Sequence, residues 1–390
     1  MSLATLPLSY CTNVHPAQSV AEVIDGLVRY SGPVRQQSGF PVAAGLWLAA
    51  PVIAELQSGT GPIDRLADSL QASNLACYTL NGFPYGDFHS ERVKENVYHP
   101  DWTTTERLQY TRDCAAVLAG LLPEGVEGSI STLPLGFKSA ATSPDFVETC
   151  TANLLSLARE LDDLHDATGK VIRLAIEPEP LCVLETTPET TALFRTLFER
   201  ADADGILEPA QRHLGVCYDV CHQSVEFEDV AQSIRDLRAA EVRISKVHIT
   251  CAIRLESPET NRDGRSALAD FAEPRYLHQV FGRSADGRIV HRTDLDRALC
   301  ESPSEKFLFA DEWRIHFHVP VNAERIGPLL TTRDDLKRAL KAVAELDYAP
   351  HLEVETYTWH VLPGEQQPSL VDGLTAELQA TRDLLAGIAG

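Results

Sequence analysis

The 390-residue sequence predicts an α/β fold, a closed (β/α)8 TIM barrel with one elaborated loop or hairpin between its seventh and eighth strands. Three observations lead there. Short β-branched or apolar runs alternate with longer stretches of helical spacing, and there are eight such runs. The glycine fingerprints GxGxxG and GxxxxGK[ST], which mark nucleotide sites on open doubly wound sheets, do not occur after the first run. Carboxylates and imidazoles gather where the last four runs end, and a barrel collects its functional groups at that rim.

The runs are, in order, LPLSYCTN (Leu6–Asn13), PVAAGLWLA (Pro41–Ala49), LACYTLNG (Leu75–Gly82), GSISTLPLG (Gly128–Gly136), KVIRLAIEPE (Lys170–Glu179), HLGVCYDV (His213–Val220), SKVHITCAI (Ser245–Ile253) and PHLEVETYTW (Pro350–Trp359). Their near-continuous apolar character suits parallel strands buried on both faces. Between them lie helical patterns such as SVAEVIDGLVRY, VETCTANLLSLARELDDLH, TTALFRTLFERA and TRDDLKRALKAVAEL, the last opening at Thr332 as an expected N-cap. One interval breaks the rhythm. Nearly a hundred residues separate Ile253 from Pro350, too many for an ordinary connection. They hold polar stretches and then the strand-like EWRIHFHVPV. The reading is a single domain over 1–390 with an insertion at about 254–330 lying over the barrel mouth.

Composition bounds the function. Hydrophobic residues make up 44% and charged residues 23%, enough for a sizeable core. The formal net charge of −22 disfavours a general nucleic-acid or anionic-membrane binder, because the averaged field repels phosphate. The start, MSLATLPLSYCTNVHPAQ, lacks a basic segment followed by an apolar one, and no apolar run approaches the ~20 residues that span a bilayer. The nine cysteines are odd in number and form no CxxC pair. They are expected to be reduced packing thiols of a cytoplasmic protein. Cys217 and Cys221 straddle Asp219, and a softer metal site is the alternative reading of that pair.

The chemistry is expected at the strand ends. The fifth run ends in Glu177-Pro178-Glu179, and the sixth in Asp219 with His222 three residues on. The seventh carries Lys246 and His248, the insertion carries His316 and His318, and the eighth carries Glu353 and Glu355. With a period of two, Lys246 shares a face with His248, His316 with His318, and Glu353 with Glu355. Carboxylates and imidazoles are the ligand set for Zn2+, Mn2+ or Co2+. A charged Asp219 at the end of an apolar run needs compensation, and a divalent cation supplies it. Glu179 and Glu353 read as supporting or surface residues. Asn13, His15 and Asn81 are weaker candidates for substrate contact, and Trp313, Phe317, Tyr357 and Trp359 are candidate pocket walls.

The order Glu, Asp-x-x-His, His, Glu over the last four runs resembles the xylose-isomerase-like barrel superfamily, which includes sugar isomerases, epimerases and the endonuclease IV type of abasic-site nuclease. CYDVCH resembles the nuclease D-T-C-H. HFHVPVNAERIG keeps His318 and the Ile326-Gly327 pair of its D-x-H and I-G elements but has His316 in place of Asp. LEVETY resembles L-E-T-P, which selects Glu355 over Glu353. The nuclease's third-metal histidines have no counterpart in TLNGFPYGDFH or STLPLGFK, where His89 is displaced, so one or two ions are expected. Across nearly the whole chain, LSYCTNVHP, TLNGFPYGDFH, VKENVYHPDW, STLPLGFK, CYDVCHQSVEFED and WRIHFHVP are similar to the EboE family of metabolite-traffic proteins. That resemblance implies a prenyltransferase-like membrane protein as a cluster neighbour and a role in moving or maturing a secondary metabolite.

The leading expectation is a metal-dependent isomerase or epimerase of a sugar-like small molecule. Glu177, Asp219, His248 and Glu355 hold the metal. Glu177 and Glu355 also exchange the proton, His222, His316 and His318 hold a second ion or orient substrate, and Lys246 either faces a developing oxyanion or, as the commoner arrangement, salt-bridges one of these carboxylates. The alternatives are a two-metal phosphoesterase related to endonuclease IV and a non-catalytic barrel that binds a metabolite or docks on a membrane enzyme.

Overall fold

The computed structural model describes residues 5–364 and 367–389; the first four residues of the N-terminal stretch, residues 365–366 and residue 390 lie outside the described residues. Seven parallel strands come first: β1 (Leu8–Cys11), β2 (Val42–Trp47), β3 (Thr79–Asn81), β4 (Gly128–Thr132), β5 (Ile172–Ile176), β6 (Leu214–Asp219) and β7 (Ile244–Ile249). Six short strands of the insertion follow: β8 (Ile253–Glu256), β9 (Val280–Arg283), β10 (Ile289–Arg292), β11 (Glu312–Ile315), β12 (Arg325–Ile326) and β13 (Leu329–Thr331). The last strand, β14 (His351–Val354), closes the barrel in the order β1-β14-β7-β6-β5-β4-β3-β2. Each of the eight predicted runs contains one barrel strand. β2, β6 and β7 are buried along their whole length, as helices outside and side chains inside require.

The insertion is more than a hairpin. Its strands form an antiparallel sheet in the order β10-β9-β11-β8-β13-β12. The sheet is tied to the end of β7, because Val319 N–H donates to Cys251 O and Thr332 N–H donates to Ala252 O, both at 3.0 Å. Thr332 precedes helix Arg333–Val343 as expected, but its hydroxyl does not cap that helix. It accepts the Ala252 N–H at 2.8 Å instead, because a buried backbone donor at the junction needs a partner more than a solvent-facing helix end does. One apolar core runs through barrel, insertion and the C-terminal helix Leu370–Ala389, joining Val247 and Ile249 to Trp313 and Leu378. No helix among the described residues is long and apolar enough to cross a membrane.

A local irregularity sets up the rim. Between β6 and β7 the register shifts at Val216/Cys217, so that Cys217 faces Lys246 and Asp219 faces His248. Gly215 sits at this bulge, where a Cβ would lie 2.5 Å from Arg243 O; no other residue type fits there without moving the backbone. On the other side of β7, His248 faces Glu353 and Lys246 faces His351 of β14. Asp219, His248 and Glu353 thus form one row across three strands.

Candidate metal centre

Asp219 ends β6 and begins helix Val220–Val225 as its N-cap. One carboxylate oxygen does the capping: Oδ1 accepts from His222 N–H at 3.0 Å and from the Thr250 hydroxyl at 2.7 Å. The other, Oδ2, is buried without a hydrogen-bond partner. The Asp-x-x-His spacing therefore has a local cause. The aspartate starts the helical turn that brings His222 back beside it, and its second oxygen remains to bind something else.

That oxygen faces a cup. Ligand atoms of Glu177, Asp219, His248 and Glu355 all lie within 4.8 Å of one another, and all four residues are buried. His248 Nδ1 is 2.9 Å from Glu177 Oε1, 3.1 Å from Glu355 Oε2 and 3.6 Å from Asp219 Oδ2. Four ligands placed tetrahedrally about 2.1 Å from one ion are roughly 3.4 Å apart, so the observed spacings fit a metal. Three carboxylates converging on one imidazole away from water are otherwise undercompensated. Burial alone would raise the Asp219 carboxyl, but the imidazoles of His222, His318 and His248 outweigh it and hold it well below the usual carboxylate range. Glu355 behaves alike: burial raises it, and His248 and His318 bring it below its ordinary value.

A second donor set adjoins the cup. His222 Nδ1 lies 3.0 Å from Pro178 O, His318 Nδ1 lies 2.8 Å from Glu355 O, and His316 Nδ1 lies 2.6 Å from Gln279 Oε1. A carbonyl oxygen only accepts, so each Nδ1 carries a hydrogen, and in the neutral ring each Nε2 keeps its lone pair. The Nε2 atoms of His222 and His316 then face each other at 3.1 Å, a repulsive arrangement that a shared cation or proton relieves. His318 Nε2 is buried without a partner, 3.9 Å from Asp219 Oδ2, and Asp219, His222 and His318 also meet the ligand spacing. Burial pushes the His318 imidazole below its ordinary value, and burial followed by its neighbours His222 and His318 pushes His316 well below. Both directions favour the neutral, ligating form.

Beneath the cup lies a buried ion pair. Lys246 Nζ and Glu353 Oε1 are 2.6 Å apart, and both side chains are 0% exposed. Lys246 also donates to Ser131 Oγ at 3.3 Å and Leu80 O at 3.4 Å. Glu353 accepts from Ser9 Oγ at 3.0 Å, and its Oε1 lies 3.3 Å from His248 Nε2, the ring nitrogen turned away from the cup. This is a charge contact without an aligned hydrogen bond, placing a carboxylate behind the imidazole whose Nδ1 faces the cup. Gly45 on β2 makes room for it, since a Cβ there would lie 1.4 Å from Glu353 Oε2. Lys246 does not line the pocket to face an oxyanion; it sits below His248 on β7 with its ammonium committed to Glu353, the salt-bridge alternative. Glu353, read as supporting or surface, is a supporting residue at the core of the barrel.

Above, Glu355 Oε1 is fixed by Asn13 and Asn81, whose amides each donate at 2.8 Å. His89 approaches no ligand; its Nε2 donates to Asn13 O at 2.8 Å and so steadies the loop carrying Asn13. The pocket over the cup is lined by Glu177, Glu355, Glu179, His222, His316 and His318 at its floor. Glu179 was undervalued from sequence. It is buried at the pocket floor, accepts from Tyr98 Oη at 2.7 Å, and burial pushes its carboxyl up to about 7. The walls also differ from expectation. Of the four aromatic candidates only Tyr357 lines the pocket. Trp313 donates to Phe307 O in the insertion core, Trp359 donates to Glu377, and Phe317, between two inward histidines, points the other way onto Phe271 and His278. Phe83, Phe88, Val97, Tyr276 and Leu277 form the walls instead. The aromatic and glycine-rich TLNGFPYGDFH is the sequence signal that marks the nearer of these.

Fold and cup together define a closed (β/α)8 barrel with a buried set of donors that could hold a divalent ion. Among solved structures, the chain is similar to a xylose isomerase-like TIM barrel protein from Mycobacterium smegmatis in complex with magnesium, at 11% identity and TM-score 0.55 over 100% of both chains. It is also similar to the IOLI protein with a bound zinc atom, at 12% identity and TM-score 0.51 over 98% of this chain and 99% of that one. A D-tagatose 3-epimerase-like protein matches at 10% identity and TM-score 0.50 over 98% of each chain. At such identities the likeness establishes the fold. No family model and no curated protein sequence matches the chain.

Proposed function

We propose that this chain is a divalent-metal-dependent isomerase or epimerase that moves a proton beside the carbonyl of a small, sugar-like hydroxycarbonyl compound. One observation carries the reading. Of the four cup residues, Asp219 and His248 close the back, while Glu177 and Glu355 also line the pocket. Bound in the cup, a Zn2+, Mn2+ or Co2+ ion would supply Lewis-acid polarisation of a carbonyl and its neighbouring hydroxyl, acidifying the C–H between them. Glu177 at the end of β5 and Glu355 just beyond β14 reach the pocket from different strands, so one takes the proton as base and the other returns it as acid. Asn13 and Asn81 hold Glu355 in place for that exchange. His222, His316 and His318 with Asp219 Oδ2 are donors for a second ion. Lys246 acts by neutralising Glu353 beneath His248 rather than by meeting substrate.

The test is metal analysis by ICP-MS together with α-proton exchange in D2O followed by NMR. Glu177→Gln and Asp219→Asn should fold, lose metal and lose exchange; unchanged metal content in both overturns the assignment. The second donor set also favours a two-metal phosphoesterase, the runner-up. Against it, the one lysine lining the pocket among the described residues, Lys94, has its ammonium bound to Glu273 O, Tyr276 O and Asp294. Metal-dependent cleavage of an abasic-site duplex would promote that reading. The EboE resemblance adds a pathway role and a prenyltransferase-like membrane partner, which rest on the sequence motifs alone and are tested by co-purification.

A further inference from the structure

The proposed reaction concerns two carbons and leaves the rest of the substrate unspecified. From the pocket walls we infer that the substrate is an uncharged molecule with a short hydroxycarbonyl head and an apolar aryl or alkyl flank, not a free or phosphorylated sugar. The inference rests on the isomerase reading of the same site and narrows it.

Three features of the pocket point there. The first is the wall above the polar floor. Phe88, Tyr276 and Tyr357 pack on one another with ring centroids 4.9–5.3 Å apart, and Tyr357 lies 4.7 Å from the His318 ring. Phe83, Val97 and Leu277 continue this surface. A ketose has a hydroxyl on nearly every carbon, and those beyond the chelating pair would lose water against Phe83, Phe88, Val97 and Leu277, which return no hydrogen bond, leaving the Tyr276 and Tyr357 hydroxyls as the polar groups of this surface. The second is charge. Glu177 and Glu355 are taken up by the ion site, the Lys94 ammonium is already tied to two carbonyls and Asp294, and among the described residues no arginine lines the pocket. A phosphate or carboxylate on the flank would find no free cationic side chain on the walls. The third is size. The pocket and its open mouth hold about 520 Å3 between atoms, room for a small molecule with one ring-sized flank. One polar atom is reserved for the head: Asn13 Oδ1 is buried, has no partner and belongs to the lining, so it is placed to accept a hydroxyl proton.

The zinc-loaded full chain is titrated calorimetrically with phenylacetylcarbinol, D-fructose and D-fructose 6-phosphate. Phenylacetylcarbinol should bind at least about tenfold more tightly than fructose, with the phosphate ester weakest, and Phe88→Ala should bring the first two together. Fructose binding as tightly as phenylacetylcarbinol, the phosphate ester binding best, or no binding of phenylacetylcarbinol overturns the inference. Exchange of the α-proton in D2O is followed on the same samples. Aryl preference without exchange sinks the isomerase reading alone, and exchange with fructose as the preferred ligand sinks the substrate inference alone.

Discussion

Lys246→Met isolates the ion pair beneath the cup. The substitution keeps the side-chain volume but removes the ammonium 2.6 Å from Glu353, leaving a carboxylate at 0% exposure with the Ser9 hydroxyl and the His248 ring as partners. Burial raises the Glu353 carboxyl, and chiefly Lys246 brings it down to about 2, so this carboxylate depends on its cation. Removing one partner of a buried pair costs about 3–5 kcal/mol. At roughly 2.1 cal/mol/K per residue, a 390-residue chain has an unfolding entropy of about 0.8 kcal/mol/K, so the thermal midpoint should fall by about 4–6 °C. Glu353→Leu alone should cost a similar amount, because it strands the ammonium. The double variant, with neither charge, should recover most of the loss and leave a coupling energy of about 3 kcal/mol or more. Differential scanning calorimetry in excess EDTA measures this without any metal contribution. Additive single losses, or a fall below about 1 kcal/mol for Lys246→Met, would refute the pair as the compensating unit.

Gly45→Ala should weaken zinc binding about 10–100-fold, read by chelator competition, because a Cβ 1.4 Å from Glu353 Oε2 must push the carboxylate away from His248. Adding zinc at a hundred times its Kd should stabilise the EDTA-stripped wild type by about 2.7 kcal/mol, a rise of about 3 °C, and Asp219→Asn should abolish the rise in the same melt. Glu226→Gln should change the pH dependence of stability. Burial, then the neighbouring Glu185, raises the Glu226 carboxyl from 4.5 to about 9. The native state therefore keeps a proton that the unfolded chain has released across that window, and its contribution is full below pH 4.5 and lost as pH climbs toward 9. Urea midpoints should show the variant gaining on wild type by at least about 1.4 kcal/mol between pH 5 and 8, and parallel profiles would refute this.

The amino-acid pattern alone determined the barrel, the identity of its eight strands and the residue types at four consecutive strand ends. Strand alternation and helix spacing are local, and Asp219 with His222 is a local motif as well, one helical turn begun by its own cap. Depth was not readable. Glu353 and Glu355 share a face, as do Lys246 and His248, but period two says nothing about which of each pair meets the rim. That was decided by the bulge at Val216/Cys217 and by the register of β7 on β14, which set Asp219, His248 and Glu353 in a row and left Lys246 beneath. The pocket walls escaped sequence reasoning for a related reason. Phe88, Val97 and Tyr276 lie in segments without regular period, and they come together only because backbone and side-chain bonds of Lys94 pin one loop to the insertion at Arg275 and Tyr276. Composition and periodicity report what a residue can do and which way it faces, whereas closure of the sheet and packing of the insertion determine what it meets.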